Sequence, residues 1–294
     1  MPALADAGRL LGGVLCCPVC RVRLAVGPRE LTCPSCGHGW GRPKEGHLDL
    51  RLPSWDPSAN DWQRRQDETC GYYRSLGQSP LEAREVYRND LGPFAPVLRK
   101  YAGRVLDVGG GNGIVRAFMD VPSLYVSVDP ADQWLSCVWD ELADEFPCLT
   151  EPLSFVQAHA ERLPFGDSAF DAALCLWTLN HCADPAMALS EMGRVVREGG
   201  RALLIVEDGE PTWSELKAGS AMHYLVPSSI RLVGAKLAAP LVGWPTQSDH
   251  VAIGNGQLAR WTAGTFRLLR RWWVGCYLAL EYERRPRRDR ESTT

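Results

Sequence analysis

Four cysteines stand as two pairs, Cys17-Pro-Val-Cys20 and Cys33-Pro-Ser-Cys36, with twelve residues between them. Each C-x-x-C sits on a tight turn that aims two sulfurs at one point. Two such turns can offer four thiolates to a tetrahedral centre, which suits Zn²⁺. Cys17, Cys20, Cys33 and Cys36 are therefore the expected metal ligands of a zinc ribbon, with Cys16 and His38 as bystanders. The site is expected to be structural, because a catalytic zinc would keep one position for water. Residues 21–26 and 30–32 read as short strands, joined by a turn at Gly27-Pro28. A segment of about fifty residues buries too little surface to fold alone, and metal binding supplies the missing stability.

The second group with chemistry in it is Arg104-Val-Leu-Asp-Val-Gly-Gly-Gly-Asn-Gly113. Residues 104–108 form a short, mostly apolar run, as expected of a buried parallel strand. Residues 114–120 read as the start of a helix. Strand, glycine loop and helix together let a ligand approach backbone N–H groups. The dinucleotide pattern G-x-G-x-x-G fails, because its third position falls on Ile114 or Arg116. What stands there is G-x-G-x-G (Gly109, Gly111, Gly113), preceded by Asp107. The spacing downstream points to the ligand. A second strand, 124–128, ends at Asp129, and an acid at that tip can accept hydrogen bonds from both ribose hydroxyls of a nucleoside.

The elements that must position these groups alternate along the chain. Leu135, Val138, Trp139 and Leu142 predict a helix; 154–157 and 172–176 predict strands. Asp184 reads as an N-cap with Pro185 at the first helical position. That helix buries Leu189, Met192 and Val196 and is expected to end at Glu198-Gly-Gly200. A fifth strand, 201–206, follows, and 265–271 with 274–283 predict a closing strand pair. Strands alternating with helices imply an α/β fold with a parallel sheet.

Composition narrows the classes. The 294 residues are 45% hydrophobic with a net charge of −3, which excludes wholesale disorder and any global pull toward nucleic acid or membrane. No run approaches the roughly 18–20 apolar residues of a membrane span. Eleven cysteines and no secretory signal in the first thirteen residues point to a reducing, cytoplasmic setting with free or metal-bound thiols.

Val105-Leu-Asp-Val-Gly-Gly-Gly-Asn-Gly113, Val128-Asp-Pro130, Ala160-Glu-Arg-Leu-Pro-Phe165, Phe170-Asp171, His181 with Asp184-Pro185, and Arg194-Val-Val-Arg-Glu-Gly-Gly200 together carry a resemblance. The chain resembles the class I S-adenosylmethionine-dependent methyltransferases, most of all their ubiquinone/menaquinone-type subgroup, over residues 101–206. The resemblance implies a doubly wound, seven-stranded, mostly parallel Rossmann-like sheet and S-adenosylmethionine as cofactor. It implies that Gly109, Gly111 and Gly113 close under the methionine part, and that Asp107 supports the loop and the cofactor amino group. It places Asp129 at the ribose, and Ala160 and Glu161 along the adenine edge. Where the family often has Asp on the adenine amino group, this chain has His159. A zinc ribbon ahead of this fold resembles the rRNA guanine methyltransferases, and Lys44-Glu-Gly-His-Leu-Asp-Leu50 is similar to their segment after the last ligand. Their more usual final His ligand is replaced here by Cys36.

The expected plan is a zinc ribbon at 1–52, a helical joining segment and N-terminal cover at 53–100, a methyltransferase domain at 101–283, and a solvated basic tail at 284–294. Residues 209–263 would form an acceptor-side lid, with Ile230, Val233, Leu237 and Leu241 on an amphipathic helix. The acceptor is expected beside 176–181, at the carboxyl ends of the strands. Trp177 could stack on an aromatic acceptor; Asn180 and His181 could orient or deprotonate one. Cys175 and Cys182 flank that wall. The leading reading is methyl transfer to a small-molecule acceptor, aromatic or natural-product in kind, by in-line displacement. The alternatives are an rRNA or tRNA base as acceptor, and a non-catalytic zinc-ribbon scaffold that keeps the cofactor fold. No membrane partner is expected.

Overall fold

A computed structural model describes residues 11, 13–27, 30–41, 47–52, 80–136, 140–207, 210, 212–217 and 253–287. The cysteine-bearing segment contains β1 (Ala25–Val26), β2 (Glu30–Thr32) and β3 (Gly39–Gly41), paired antiparallel in that order. The first two fall within the expected strands. β3 carries no alternating pattern, because Gly39-Trp-Gly41 has one side chain to show.

The main sheet is built from β4 (Leu48–Asp49), β5 (Arg104–Val108), β6 (Leu124–Asp129), β7 (Ser154–Gln157), β8 (Phe170–Leu176), β9 (Val196–Val206), β10 (Phe266–Val274) and β11 (Tyr277–Arg284). Their order is β10-β11-β9-β8-β5-β6-β7-β4. All neighbours from β9 to β4 run parallel, while β11 is antiparallel to both β9 and β10. This is the doubly wound, mostly parallel sheet implied by the resemblance, with one strand more. The eighth strand is β4, from the segment after the cysteines, which pairs with the outer edge of β7.

The helices are α1 (Pro80–Leu91), α2 (Ala95–Leu98), α3 (Asp140–Glu145), α4 (Pro185–Val195), α5 (Trp213–Lys217) and α6 (Asn255–Thr262). Alternate strand residues face opposite layers, as the pleat requires. Val105, Leu174 and Leu203 pack with Leu91, Phe94 and Phe146 on one face. Leu106, Cys175 and Leu204 pack with Leu189 and Met192 of α4 on the other. Leu15, Leu31 and Trp40 of the cysteine segment belong to that second core. The segment therefore stabilises itself partly by sharing an apolar core with α4.

Several expected elements are corrected by the backbone. Ile114–Phe118 is a 3₁₀ turn instead of an α-helix, and Met119 is already extended; Pro122 follows closely and disfavours further helix. Of the helix expected around 135–142, Leu135 lies in a 3₁₀ turn, Asp132–Ser136, and Leu142 in α3; Val138 and Trp139 lie outside the described residues. α4 ends at Val195, and Glu198-Gly-Gly200 instead lies within β9, where Gly199 takes φ +70° and the pairing with β8 shifts register. The tail is not wholly solvated. Arg284 is buried and donates to Gly193 O at 2.5 Å, and Arg287 pairs with Asp167 at 2.7 Å. Residues 53–79, the lid core 218–252 and residues 288–294 lie outside the described residues. Among the described residues, no helix is long and apolar enough to cross a membrane.

The start of α4 follows its sequence. Asp184 accepts the Met187 N–H at 3.0 Å, and Pro185 opens the helix. Asp184→Ala is expected to cost about 1 kcal/mol, read from urea denaturation; an unchanged midpoint would count against the cap.

Candidate functional site

β5 and β8 are neighbours, yet the chain goes on from β5 to β6 on one flank and from β8 to β9 on the other. An open crevice forms outside the carboxyl ends at such a switch point. Here it holds about 1010 Å³ of empty space, part of it open to solvent. The loop after β5 forms one side of it, with Gly109, Gly110, Gly111 and Asn112 on the wall. Gly109 takes φ +74°, and a Cβ there would stand 2.0 Å from Thr178 Oγ1 in the loop after β8. At Gly110 a Cβ would come within 2.7 Å of the Asp107 carboxyl carbon and of Ser127 Oγ. The glycines thus let two switch-point loops press together and leave bare backbone as a cradle. Gly113, at φ +73°, caps the following 3₁₀ turn.

Asp129 ends β6 on the cleft wall and accepts the Ala131 N–H at 2.9 Å. Burial pushes its carboxyl up to about 7, against N–H bonds from Ala131 and Gly111 that draw it down. Asp107 lies beneath the loop and accepts the Tyr125 hydroxyl. Burial raises it to about 7 as well, with Tyr125 opposing. It is not on the cleft wall. His159, Ala160 and Glu161 follow β7 and also line the cleft. Burial, then the positive charge of Arg51, lowers the His159 imidazole to about 4, so it is neutral. Glu161 accepts the Asp184 N–H at 3.2 Å, and burial raises its carboxyl.

Trp177 and His181, from the loop after β8, also line the cleft. Trp177 takes a left-handed φ of +54°, a strained choice for a bulky residue. Its indole meets Tyr277 at 5.2 Å and Phe94 at 6.1 Å, both edge-on. Tyr87 of α1 also reaches the cleft, so part of the expected cover does line it. Asn180 requires a correction. It is fully buried, its Nδ2 donating to Glu207 O at 3.0 Å and its Oδ1 accepting the Glu207 N–H at 3.2 Å. The amide clasps the backbone after β9, and Asn180 is not among the residues that line the cleft. Cys175 and Cys182 are buried, which raises both thiols far above their ordinary range, so neither supplies a thiolate.

The donor set fits S-adenosylmethionine: a glycine cradle that a Cβ would fill, a strand-end carboxylate, and a buried donor without a partner. That donor is Asn112 Nδ2; Asn112 lines the cleft while its Oδ1 accepts the Ile114 N–H at 3.2 Å. A ligand carboxylate would satisfy it, which offsets the cost of a buried unpaired amide.

The four cysteine sulfurs lie within 4.8 Å of one another. Cys17 and Cys36 sulfurs are 3.8 Å apart and Cys20 and Cys33 sulfurs 3.1 Å. A tetrahedral zinc with bonds of about 2.3 Å asks for sulfur–sulfur edges near 3.8 Å, so the set is close to what the ion needs. The Cys36 N–H points at the Cys33 sulfur at 3.5 Å and draws that thiol down to about 6, toward the ligating thiolate. Cys16 and His38 stay outside this group of four; His38 packs on Trp40 at 4.3 Å.

Comparison with known proteins bears on the family. The methyltransferase-domain profile matches residues 106–204. A demethylmenaquinone methyltransferase of Paenarthrobacter aurescens is 34% identical over 48% of this chain and 56% of its own length. A ubiquinone/menaquinone biosynthesis C-methyltransferase of Proteus mirabilis is 33% identical over 50% of this chain and 53% of its own. The chain thus spans about half the length of these two relatives. An uncharacterized methyltransferase of Mycobacterium tuberculosis is 32% identical over 70% of this chain and 77% of its own length. This chain belongs to the class I S-adenosylmethionine-dependent methyltransferases.

In this methyltransferase the sequence assigns no role to Asn112, Trp134 or Thr178, which all line the cleft. Asn112 stood in view as the variable residue of the G-x-G-x-G loop. Trp134 follows Asp129-Pro130 within one short turn. Tyr87 lies on α1, within the segment 53–100 expected as a cover over the cofactor.

Proposed function

We propose that the chain transfers a methyl group from S-adenosylmethionine to a small-molecule acceptor with a planar, aromatic body. The observation that carries this reading is the cleft itself, lined by a glycine cradle and Asp129 together with the aromatic side chains of Trp177 and Tyr87. The names of the menaquinone and ubiquinone/menaquinone relatives support the acceptor class. When bound, the sulfonium supplies an electrophilic methyl group. Gly109 and Gly111 admit the methionine end, and Asn112 Nδ2 donates to its carboxylate. Asp129 accepts from the ribose hydroxyls, and Ala160 and Glu161 border the adenine. Trp177 presents a flat face against which an aromatic acceptor aligns for in-line attack. His181 orients the acceptor or takes its proton.

Transfer of labelled methyl to fractionated metabolite and RNA pools tests this. Label in small molecules is expected; label in RNA alone would sink the acceptor class. His181→Ala is expected to lower kcat about a hundredfold if the imidazole takes a proton. A change confined to KM would reduce it to an orienting group.

The cysteine cluster is read as a structural zinc site with all four positions taken by Cys17, Cys20, Cys33 and Cys36. Elemental analysis of the purified protein is expected to give one zinc per chain. A purified protein that holds no zinc, and whose thermal midpoint zinc does not raise, would overturn this. None of the nine cysteines among the described residues is in a disulfide; four are the zinc ligands and five are left as thiols, in keeping with a reducing, cytoplasmic setting.

A further inference from the structure

The turn Ala160–Arg162 has two sides. Ala160 and Glu161 line the cleft. The next side chain, Arg162, leaves it. Its Nε donates to Pro18 O, and one terminal nitrogen donates to Val19 O at 2.7 Å. Pro18 and Val19 are the two residues between the metal-ligating Cys17 and Cys20. The guanidinium fork therefore grips the inside of a cysteine knuckle, with its donors on two adjacent carbonyls.

Further contacts hold the same stretch. Cys16 N–H donates to Pro164 O at 2.9 Å, and Gly166 N–H donates to Val14 O at 2.8 Å. Arg21, one residue beyond Cys20, pairs with Glu191 at 2.8 Å, and Glu191 in turn accepts the Leu163 N–H at 3.1 Å. Behind the turn, β4 braces β7. Leu50 N–H donates to Gln157 O at 2.8 Å, and His47 Nε2 lies 3.3 Å from Gln157 Oε1. Gln157 Nε2 reaches Pro130 O at 3.0 Å, directly after Asp129.

We infer that the cysteine segment is a brace for the nucleoside end of the cofactor cleft, and that Arg162 is the positioning residue that ties metal loading to cofactor affinity. The inference rests on the S-adenosylmethionine reading above. A filled metal site fixes the Cys17–Cys20 knuckle and with it the carbonyls of Pro18 and Val19. Arg162 transmits that rigidity one residue back to Glu161 and two back to Ala160. An empty metal site leaves the carbonyls without a fixed place, and the turn must be ordered by the cofactor itself, which costs affinity.

The test is calorimetric binding of S-adenosylhomocysteine to the full-length protein, with metal content measured on each sample. Wild type, Arg162→Ala and Arg162→Lys are compared, each as purified and after mild chelation. Arg162→Ala is expected to weaken binding about tenfold, in keeping with two lost charge-assisted hydrogen bonds. It should raise KM for S-adenosylmethionine while kcat at saturation stays near wild type. Arg162→Lys, which can donate to one carbonyl at a time, should recover part of the affinity. Chelation should weaken wild type but add little to Arg162→Ala, because both remove the same link.

If wild type itself fails to bind, the cofactor reading falls and the brace falls with it. If wild type binds and Arg162→Ala binds equally well, the brace alone is overturned. Equal chelation losses in wild type and Arg162→Ala would also overturn it. Should Arg162→Ala prove unfolded by circular dichroism, Arg162→Lys decides: unchanged affinity together with unchanged metal sensitivity refutes the link.

Discussion

Gly109→Ala is expected to weaken binding of S-adenosylhomocysteine about a hundredfold or more, because two costs fall on one methyl group. The backbone at Gly109 is left-handed, and the new Cβ would stand 2.0 Å from Thr178 Oγ1 and 2.7 Å from Thr178 Cβ. Left-handed backbone costs an L-residue about 1–2 kcal/mol, and forcing apart packed atoms adds about 1–3 kcal/mol. The loop after β5 can escape only by lifting away from the loop after β8, which opens the switch point that forms the cleft. Combining it with Thr178→Gly separates the two costs. Removing the Thr178 side chain should restore much of the affinity and leave the backbone cost in place. Wild-type affinity in Gly109→Ala would show that the two loops do not need their close approach.

The second large effect concerns proton uptake. Burial holds Asp107 and Asp129 at about 7 in the folded protein, against an ordinary value of 3.8. Between those values the folded state binds more protons than the unfolded chain. The free protein is therefore expected to lose stability as pH rises from about 4 to about 7, and to level off above. Ribose hydroxyls that donate to Asp129 favour its ionised form, so cofactor binding should release a proton and strengthen with rising pH. Affinity for S-adenosylhomocysteine is expected to climb about tenfold or more from pH 5.5 to pH 8. Asp129→Asn should bind about tenfold or more weakly at pH 8, the range for a lost hydrogen bond to a charged group, with a shallower pH dependence. Whatever slope persists belongs to the other buried carboxyls there, Asp107 and Glu161. An Asp129→Asn profile that matches wild type in both level and slope would remove Asp129 from the ribose.

The residues differed in how plainly they could be read from the sequence. Doubled C-x-x-C brings its four sulfurs together through two local turns, so a short stretch of sequence contains the whole cluster. The β5 loop and Asp129 were equally plain, because a buried parallel strand ending in glycine or acid is a local pattern. Asn180 shows the limit. Its position after β8 was evident, but the backbone of Glu207 that claims its amide is 27 residues away. β4 shows another. Two residues carry no periodicity, and Leu48 becomes a strand only because Val156 offers an open edge. The extent of α4 was misjudged because Gly199-Gly200 reads as a helix end, when the left-handed glycine instead serves an irregularity within β9. Tyr87 could be read as part of a helical cover over the cofactor, but the sequence does not show which of that segment's aromatic residues would reach the cleft.

Arg21 and Glu191 are separated by 170 positions in the chain. Leu15, Leu31 and Trp40 share a core with Leu189 and Met192 of α4. This imposes an order of events during synthesis. At about 5–20 residues per second, about 10–30 s pass between the appearance of the cysteine pairs and that of the helix that covers them. The pairs can collect their metal at once, since their sulfurs need only each other. Their apolar residues must wait, uncovered, for a surface that has yet to be translated. Early metal capture would shorten the list of conformations open to the waiting segment. Among these elements, the contacts of the stretch translated first are completed only once α4 has emerged.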